Sequence, residues 1–131
     1  MMESSDAALL IGDPGMTTPP SGLQVFDLAS VWHGLTDTGF VFAMWMARET
    51  AVEAIKAVDF AGARDEGLEH VDNIVSEYQN DVGLSREEMK EYLTTNITFQ
   101  IDESLEKGMR LYFELAAKHG LIEKNKELRF A

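Results

Sequence analysis

The chain has 131 residues, no cysteine and a formal net charge of −12. This length suits one domain or one lobe of a larger protein. The absence of cysteine excludes disulfides, thiolate zinc sites, iron–sulfur clusters and a cysteine nucleophile. Nucleic acid and anionic membranes are excluded as partners because both would repel so acidic a surface. The charge is also uneven, since residues 1–47 carry five acids and no Lys or Arg.

Membrane and export signals are missing from the sequence. Residues 1–6, MMESSD, are acidic where a secretory signal needs positive charge. The longest apolar run, residues 40–47, has eight residues, which is far short of a membrane span. We therefore expect a cytoplasmic protein without a membrane segment.

Three short apolar segments in the first part of the chain predict β-strands. Residues 7–11 are continuously apolar and are followed by Gly-Asp-Pro-Gly, which is typical of a buried strand closed by a turn. Residues 17–22 contain two prolines and predict a loop. Residues 24–28 predict a second strand. Residues 40–46 are apolar at every position and rich in aromatic side chains, which favours a third strand, although the start of a buried helix is an alternative.

The rest of the regular structure is predicted to be helical. Asp27 can cap a short helix over residues 29–34. Leu68, Val71, Val75 and Tyr78 are spaced by three and four residues, as on one face of a helix.

Two further helices are predicted from their starts and ends. Ser85 and Glu88 match a capping box that starts a helix running to about Thr94. Asp102 starts another helix, and Gly120 fits the left-handed residue that ends it. One face of this last helix carries Leu105, Met109, Tyr112 and Ala116.

These elements predict an α/β fold in two parts. Residues 1–46 form the strand-rich part and residues 47–131 the helical part. Two or three short strands make a poor parallel sheet by themselves, so the chain is expected to be part of a larger sheet.

No metal site is predicted. Glu66 and His70 lie four residues apart on one helix face, but a di-metal bundle would need a second such motif on a facing helix. The charged face of a solvated helix is the better interpretation. His33, between Trp32 and Gly34, can approach a cleft, although a packed or solvated histidine is the commoner case.

The end of the first predicted strand is the strongest candidate for a binding site. Ligands of open α/β sheets collect at the carboxyl ends of the strands, and Ile11, Gly12 and Asp13 stand at such an end. Gly12 allows a ligand to approach the backbone, and Asp13 supplies an acceptor. A tight Asp-Pro-Gly turn without a ligand explains the same residues equally well.

Several segments, taken in order, resemble the chorismate dehydratases of the futalosine route to menaquinone. The matching segments are DAALLIGD (residues 6–13), DL (27–28), Trp32, FVFAMW (40–45), ARDEGL (63–68), YLTTNI (92–97), YFELA (112–116) and HGLI (119–122). Their order and spacing make a chance match improbable. The resemblance extends over nearly the whole chain.

The resemblance implies a type II periplasmic-binding-protein fold, of which this chain would hold part of the second lobe and the C-terminal helices. It also implies the conversion of chorismate, a small anionic substrate, to 3-[(1-carboxyvinyl)oxy]benzoate without a cofactor. Ile11, Gly12 and Asp13 would line the substrate cleft, with Thr38 and Phe40 beside it. The first lobe of the family would be absent, so no catalytic residue is carried over and the chain is expected to be inactive by itself.

The sequence departs from the family pattern just before the third predicted strand. Residues 36–39, TDTG, stand where the family has Thr-Gly-Leu-Pro. Without the proline, the backbone that enters the segment at Phe40 is less restricted.

Two other functions fit the same sequence. A solute-binding module would bind chorismate without turnover. A truncated fragment would associate with itself through exposed sheet edges.

Overall fold

The computed structural model describes residues 5–125 and 127–130. Most of the acidic start that argues against a secretory signal, residues 1–4, lies outside the described residues. The chain divides into two compact units. The first contains residues 1–25 and 65–98, and the second contains residues 26–64 and 99–131. The predicted division between residues 46 and 47 stays a prediction.

All regular elements of the described residues are helical. In chain order they are α1 (Asp13–Thr17), α2 (Leu28–Thr36), a 3-10 turn (Glu49–Ala51) that runs into α3 (Val52–Ile55), α4 (Phe60–Glu69), α5 (Val71–Val82), α6 (Arg86–Glu91), a π-helical turn (Tyr92–Asn96) and α7 (Glu103–Lys118). None of the helices in the described part of the chain is both long and apolar enough to cross a membrane.

The expected α/β fold of the periplasmic-binding-protein type is wrong, because the described residues contain no strand or sheet. A strand persists only where neighbouring strands bond its N–H and C=O groups. None of the three segments expected to be strands makes such a pairing within the described chain. Ile11, expected to be buried in a sheet, is 76% exposed. Gly12 and Asp13 do not close a simple turn either, because α1 begins at Asp13.

The predicted helix ends are confirmed by their local hydrogen bonds. The Asp27 carboxylate accepts hydrogen bonds from the backbone N–H groups of Ala29 and Ser30 at the start of α2. The side-chain hydrogen bond from Ser30 is the main cause that lowers the pKa of Asp27. At the start of α7 the carboxylate of Asp102 accepts a hydrogen bond from the N–H of Leu105 at 2.8 Å. Gly120, with φ of 71°, has the expected left-handed conformation after α7.

A small apolar cluster holds the first unit together. Val71 and Val75 on α5 are buried against Met89 on α6, with Leu84 and Leu93 packed beside them. The capping box is confirmed, since the Ser85 hydroxyl accepts from the Glu88 N–H and the Glu88 carboxylate accepts from the Ser85 N–H. The box starts α6, the helix that carries Met89.

The single helical stripe predicted from Leu68 to Tyr78 is interrupted in the structure. His70, with φ of −108° and ψ of 22°, separates α4 from α5. Val71 and Val75 are buried as the spacing predicts, whereas Leu68 and Tyr78 are exposed.

An ion cluster on the surface of the first unit joins α5 to α6. The Asp72 carboxylate accepts hydrogen bonds from Lys90 at 3.0 Å and from Arg86 at 2.9 Å. Arg86 also donates to the Ser76 hydroxyl. The hydrogen bond from Lys90, followed by the charges of both cations, lowers the pKa of Asp72.

In the second unit, the core lies where the loop after α2 meets α7. Gly108, Met109 and Ala116 on α7 are buried. Thr38 in the loop is only 1% exposed. Met109 and Ala116 belong to the helix face that the sequence predicts to be apolar. This junction carries the candidate site.

Candidate functional site

The second unit contains an apolar cleft between residues 40–46 and α7. The cleft has a volume of about 380 Å³. Its lining residues are Phe40, Val41, Phe42, Ala43, Met44, Met46, Gly108, Met109, Tyr112 and Phe113. Pockets for small molecules are commonly lined by apolar and aromatic side chains in this way.

Three aromatic rings from different parts of the second unit pack together at one wall of the cleft, and two of them, Phe40 and Tyr112, line it. Trp32 on α2, Phe40 in the loop and Tyr112 on α7 pack edge to face, with ring centroids 5.6–5.9 Å apart. Phe42 adds a fourth ring, 5.0 Å from Phe40. Edge-to-face packing lets the positive edge of one ring meet the negative face of another. The cleft wall is therefore held by specific contacts.

Hydrogen bonds around Thr38 fix the position of this wall. The Trp32 Nε1–H lies 3.0 Å from Thr38 Oγ1 and 3.1 Å from the Gly39 carbonyl oxygen. The Thr38 hydroxyl also shares a hydrogen bond of 2.8 Å with the Thr36 hydroxyl. A polar group as deeply buried as Thr38 must find partners inside the protein. The cluster meets that need and ties the loop to α2.

Two glycines let the loop touch α7. Gly39 N–H donates to the Ser104 hydroxyl at 3.0 Å. A Cβ atom on Gly39 would lie 2.6 Å from a methyl carbon of Leu105, and one on Gly108 would overlap the Gly39 carbonyl oxygen. Such overlaps force the neighbouring backbone to shift. The close approach places Phe40 next to Tyr112.

The predicted site residues fall in both units. Thr38 and Phe40 lie at the cleft, Phe40 in its lining and Thr38 in the hydrogen-bond cluster behind it. Ile11, Gly12 and Asp13 belong to the first unit and are exposed. Their predicted role in lining a substrate cleft stays a prediction.

Sequence reasoning missed Tyr112 and Gly108 as site residues. Tyr112 was predicted only as part of the apolar face of the last helix, although an aromatic residue with a polar end on such a face is a usable signal. Gly108 gave a weaker signal, namely a glycine inside a strongly patterned helix. Neither signal identifies the loop that these residues contact.

The charges around the cleft are few. Its lining contains no Lys, Arg, His, Asp or Glu, and the Tyr112 hydroxyl is its one ionisable group. Arg110 follows Met109 on α7, but it is paired with Glu106, with Nη2 2.6 Å from the carboxylate. The described part of the chain contains no group of three or more residues that could hold a metal ion. His70 Nδ1 is hydrogen-bonded to the Glu66 backbone carbonyl oxygen at 2.8 Å.

A family model described as menaquinone biosynthesis matches residues 1–118 of the chain. The match covers most of the 131 residues. The chain therefore belongs to the menaquinone biosynthesis family, the family of the chorismate dehydratases, and the resemblance seen in the sequence is confirmed. No solved structure gives a significant match to the chain. A role in menaquinone biosynthesis follows from family membership.

Proposed function

We propose that the chain takes part in the dehydration of chorismate to 3-[(1-carboxyvinyl)oxy]benzoate in the cytoplasm, with the substrate ring held in the aromatic cleft. Family membership supplies the pathway. The structural observation that supports this proposal is the cleft. Its volume of about 380 Å³ and its aromatic wall suit a single six-membered ring. In the reaction one proton and one hydroxide leave the ring, so the products are water and an aromatic ring.

The cleft supports this reaction by orienting the ring against its aromatic side chains. Phe40, Phe42 and Tyr112 in the lining offer ring edges and faces to a planar product. The Tyr112 hydroxyl can donate a hydrogen bond to an oxygen of the substrate. Because the product ring is flat and fully conjugated, an aromatic wall favours it over the puckered substrate ring.

The two substrate carboxylates require partners that the cleft lining does not provide. Desolvating a carboxylate without a cation or several N–H donors is costly. The lining offers neither a cation nor a carboxylate or imidazole base. We therefore propose that catalysis requires further polypeptide, which supplies these groups and covers the exposed apolar side chains.

The exposure of large side chains in the second unit supports that requirement. Trp45 is 86% exposed and Phe42 is 70% exposed. Contiguous exposed apolar surface marks a contact with another protein segment. A non-catalytic binding module is the second candidate, and the absence of a general base from the lining favours it.

Turnover of chorismate separates these possibilities. The chain alone is incubated with chorismate, and the product is separated by chromatography and detected by its ultraviolet spectrum. We expect no acceleration over the reaction in buffer, because the groups that bind the carboxylates and move the proton are missing.

The matched sample is the same chain combined with the N-terminal half of a chorismate dehydratase. We expect this sample to turn chorismate over, and we expect Tyr112→Phe in it to retain less activity than the unchanged sequence. Turnover by the chain alone at about 1 s⁻¹ or faster, the lower end of common enzyme rates, would contradict the need for further polypeptide. Binding without turnover in both samples would favour the binding module.

A further inference from the structure

The stretch from Phe40 to Met46, here called the apolar segment, leaves its backbone unpaired. No other described residue exchanges a backbone hydrogen bond with it. Trp45 and Met46 within it are 86% and 83% exposed. Unpaired N–H and C=O groups beside exposed apolar side chains are the features that recruit a further strand. The segment is therefore suited to pairing with another polypeptide.

Charge limits which polypeptide can approach. Each copy of the chain carries a net charge of −12, so two copies repel one another over most of their surfaces. Between Asp37 and Arg48 the sequence contains no charged residue. The apolar segment itself therefore adds no charge repulsion between two copies.

The apolar segment is complementary to itself when two copies run antiparallel. A two-fold axis through Ala43 places Phe42 opposite Met44 of the second copy, and Phe40 opposite Met46. Methionine sulfur and an aromatic ring attract one another when they lie about 5 Å apart. The same register places Val41 opposite Trp45, a β-branched and aromatic pair that stabilises antiparallel strands. Ala43 meets its own copy at the axis, where its small side chain lets the backbones approach.

The exposed area of the apolar segment sets the largest interface that two copies can form through it. If a large side chain offers about 200 Å², the exposed fractions of Phe42, Trp45 and Met46 amount to roughly 500 Å² per copy. Complete burial of this area in both copies would amount to about 1,000 Å², which is the lower limit for a specific interface. We propose that the chain by itself forms a two-fold symmetric dimer in which the apolar segments of two copies pair as an antiparallel ribbon. The proposal does not depend on chorismate chemistry, although Phe40, Phe42, Met44 and Met46 of the segment also line the cleft.

Sedimentation velocity over a hundredfold range of concentration tests the proposal. We expect the mass to rise from 14.6 kDa to twice that value as the concentration increases. Hydrogen exchange of the unchanged chain is measured at both ends of the range. Alternate amides between Phe40 and Met46 should become protected in the dimer, because an antiparallel pair bonds every second residue toward its partner.

The variant Ala43→Pro removes one N–H and adds a ring at the two-fold axis. Ala43 makes no backbone hydrogen bond in the described chain, so the helices should keep their circular dichroism while the dimer is lost. Val25→Pro is the matched control. Val25 is also exposed and outside regular structure, but it lies away from the apolar segment in sequence, so this variant should still dimerise.

Three results would overturn the proposal. The first is a monomer at every concentration. The second is a dimer that survives in Ala43→Pro with its helices intact. The third, which also decides the case if Ala43→Pro fails to fold, is a dimer of the unchanged chain whose amides between Phe40 and Met46 exchange as fast as in the monomer.

Discussion

Replacing Gly108 with alanine is expected to destabilise the second unit by about 2 kcal/mol or more. The added Cβ would overlap the backbone carbonyl oxygen of Gly39 and lie 2.9 Å from Thr38 Oγ1. Neither neighbour can move freely, because the Gly39 carbonyl accepts the Trp32 Nε1–H and Thr38 is buried. The usual gain of about 1 kcal/mol from Gly→Ala in a helix is therefore outweighed.

Chemical denaturation followed by tryptophan fluorescence measures this effect, since both tryptophans, Trp32 and Trp45, lie in the second unit. Gly34→Ala is the matched control, because Gly34 lies inside α2 and an added Cβ would meet nothing within 4 Å. That variant should be unchanged or more stable by up to about 1 kcal/mol. Equal stability of the two variants would mean that the loop and α7 are not in close contact.

Replacing Thr38 with valine is expected to cost about 1–3 kcal/mol of unfolding free energy. Valine keeps the shape but loses the hydroxyl, which accepts from Trp32 Nε1 and bonds to the Thr36 hydroxyl. The Thr36 hydroxyl retains its bond to the Trp32 carbonyl oxygen at 2.8 Å, and the Trp32 N–H retains the Gly39 carbonyl. The loss should therefore be smaller than that of a fully unsatisfied buried group.

Thr38→Ser is the control because it keeps the hydroxyl and removes only a methyl group. We expect it to cost less than Thr38→Val when both are unfolded under the same conditions. Tryptophan fluorescence of the folded protein gives a second readout. A displaced Trp32 ring should shift the emission to longer wavelength in the valine variant alone. If serine costs more than valine, the methyl contact and not the hydrogen bonds would hold Thr38.

The helix ends could be predicted because their causes are local. Asp27, Ser85 and Asp102 each bond backbone N–H groups within three residues along the chain, and Gly120 needs only its own left-handed conformation. Such interactions are encoded in short stretches of sequence. The break at His70 was not predicted, because the apolar spacing continues across it.

The strands could not be predicted correctly because a strand depends on its neighbours. The apolar side chains of residues 7–11 and 40–46 suit a sheet, but the described chain pairs neither segment. The apolar composition therefore indicated that these side chains need to be buried. Leu9 and Trp45 are nevertheless exposed in the described chain. It did not indicate which backbone would meet that need.

The role of the predicted site residues in binding a substrate stays a prediction. Of the residues named from the resemblance, Phe40 lines the candidate cleft and Thr38 lies in the hydrogen-bond cluster behind it. Gly39 and Gly108 are 69 positions apart in sequence, and their contact depends on tertiary packing that no short motif specifies. The contact of Tyr112 with Phe40 follows from it, so the aromatic wall could not be predicted from periodicity alone.

Binding of the aromatic product in the cleft is the central claim. It is tested most directly by a titration of the chain combined with the N-terminal half of a chorismate dehydratase, which supplies the partners for the product carboxylates. Methionine methyl signals are followed by nuclear magnetic resonance while 3-[(1-carboxyvinyl)oxy]benzoate is added. The signals of Met44, Met46 and Met109, which line the cleft, should shift together and saturate. The signal of Met89, buried in the first unit, should stay in place. Unchanged signals from all three cleft methionines at millimolar ligand, or equal shifts of Met89, would contradict the account.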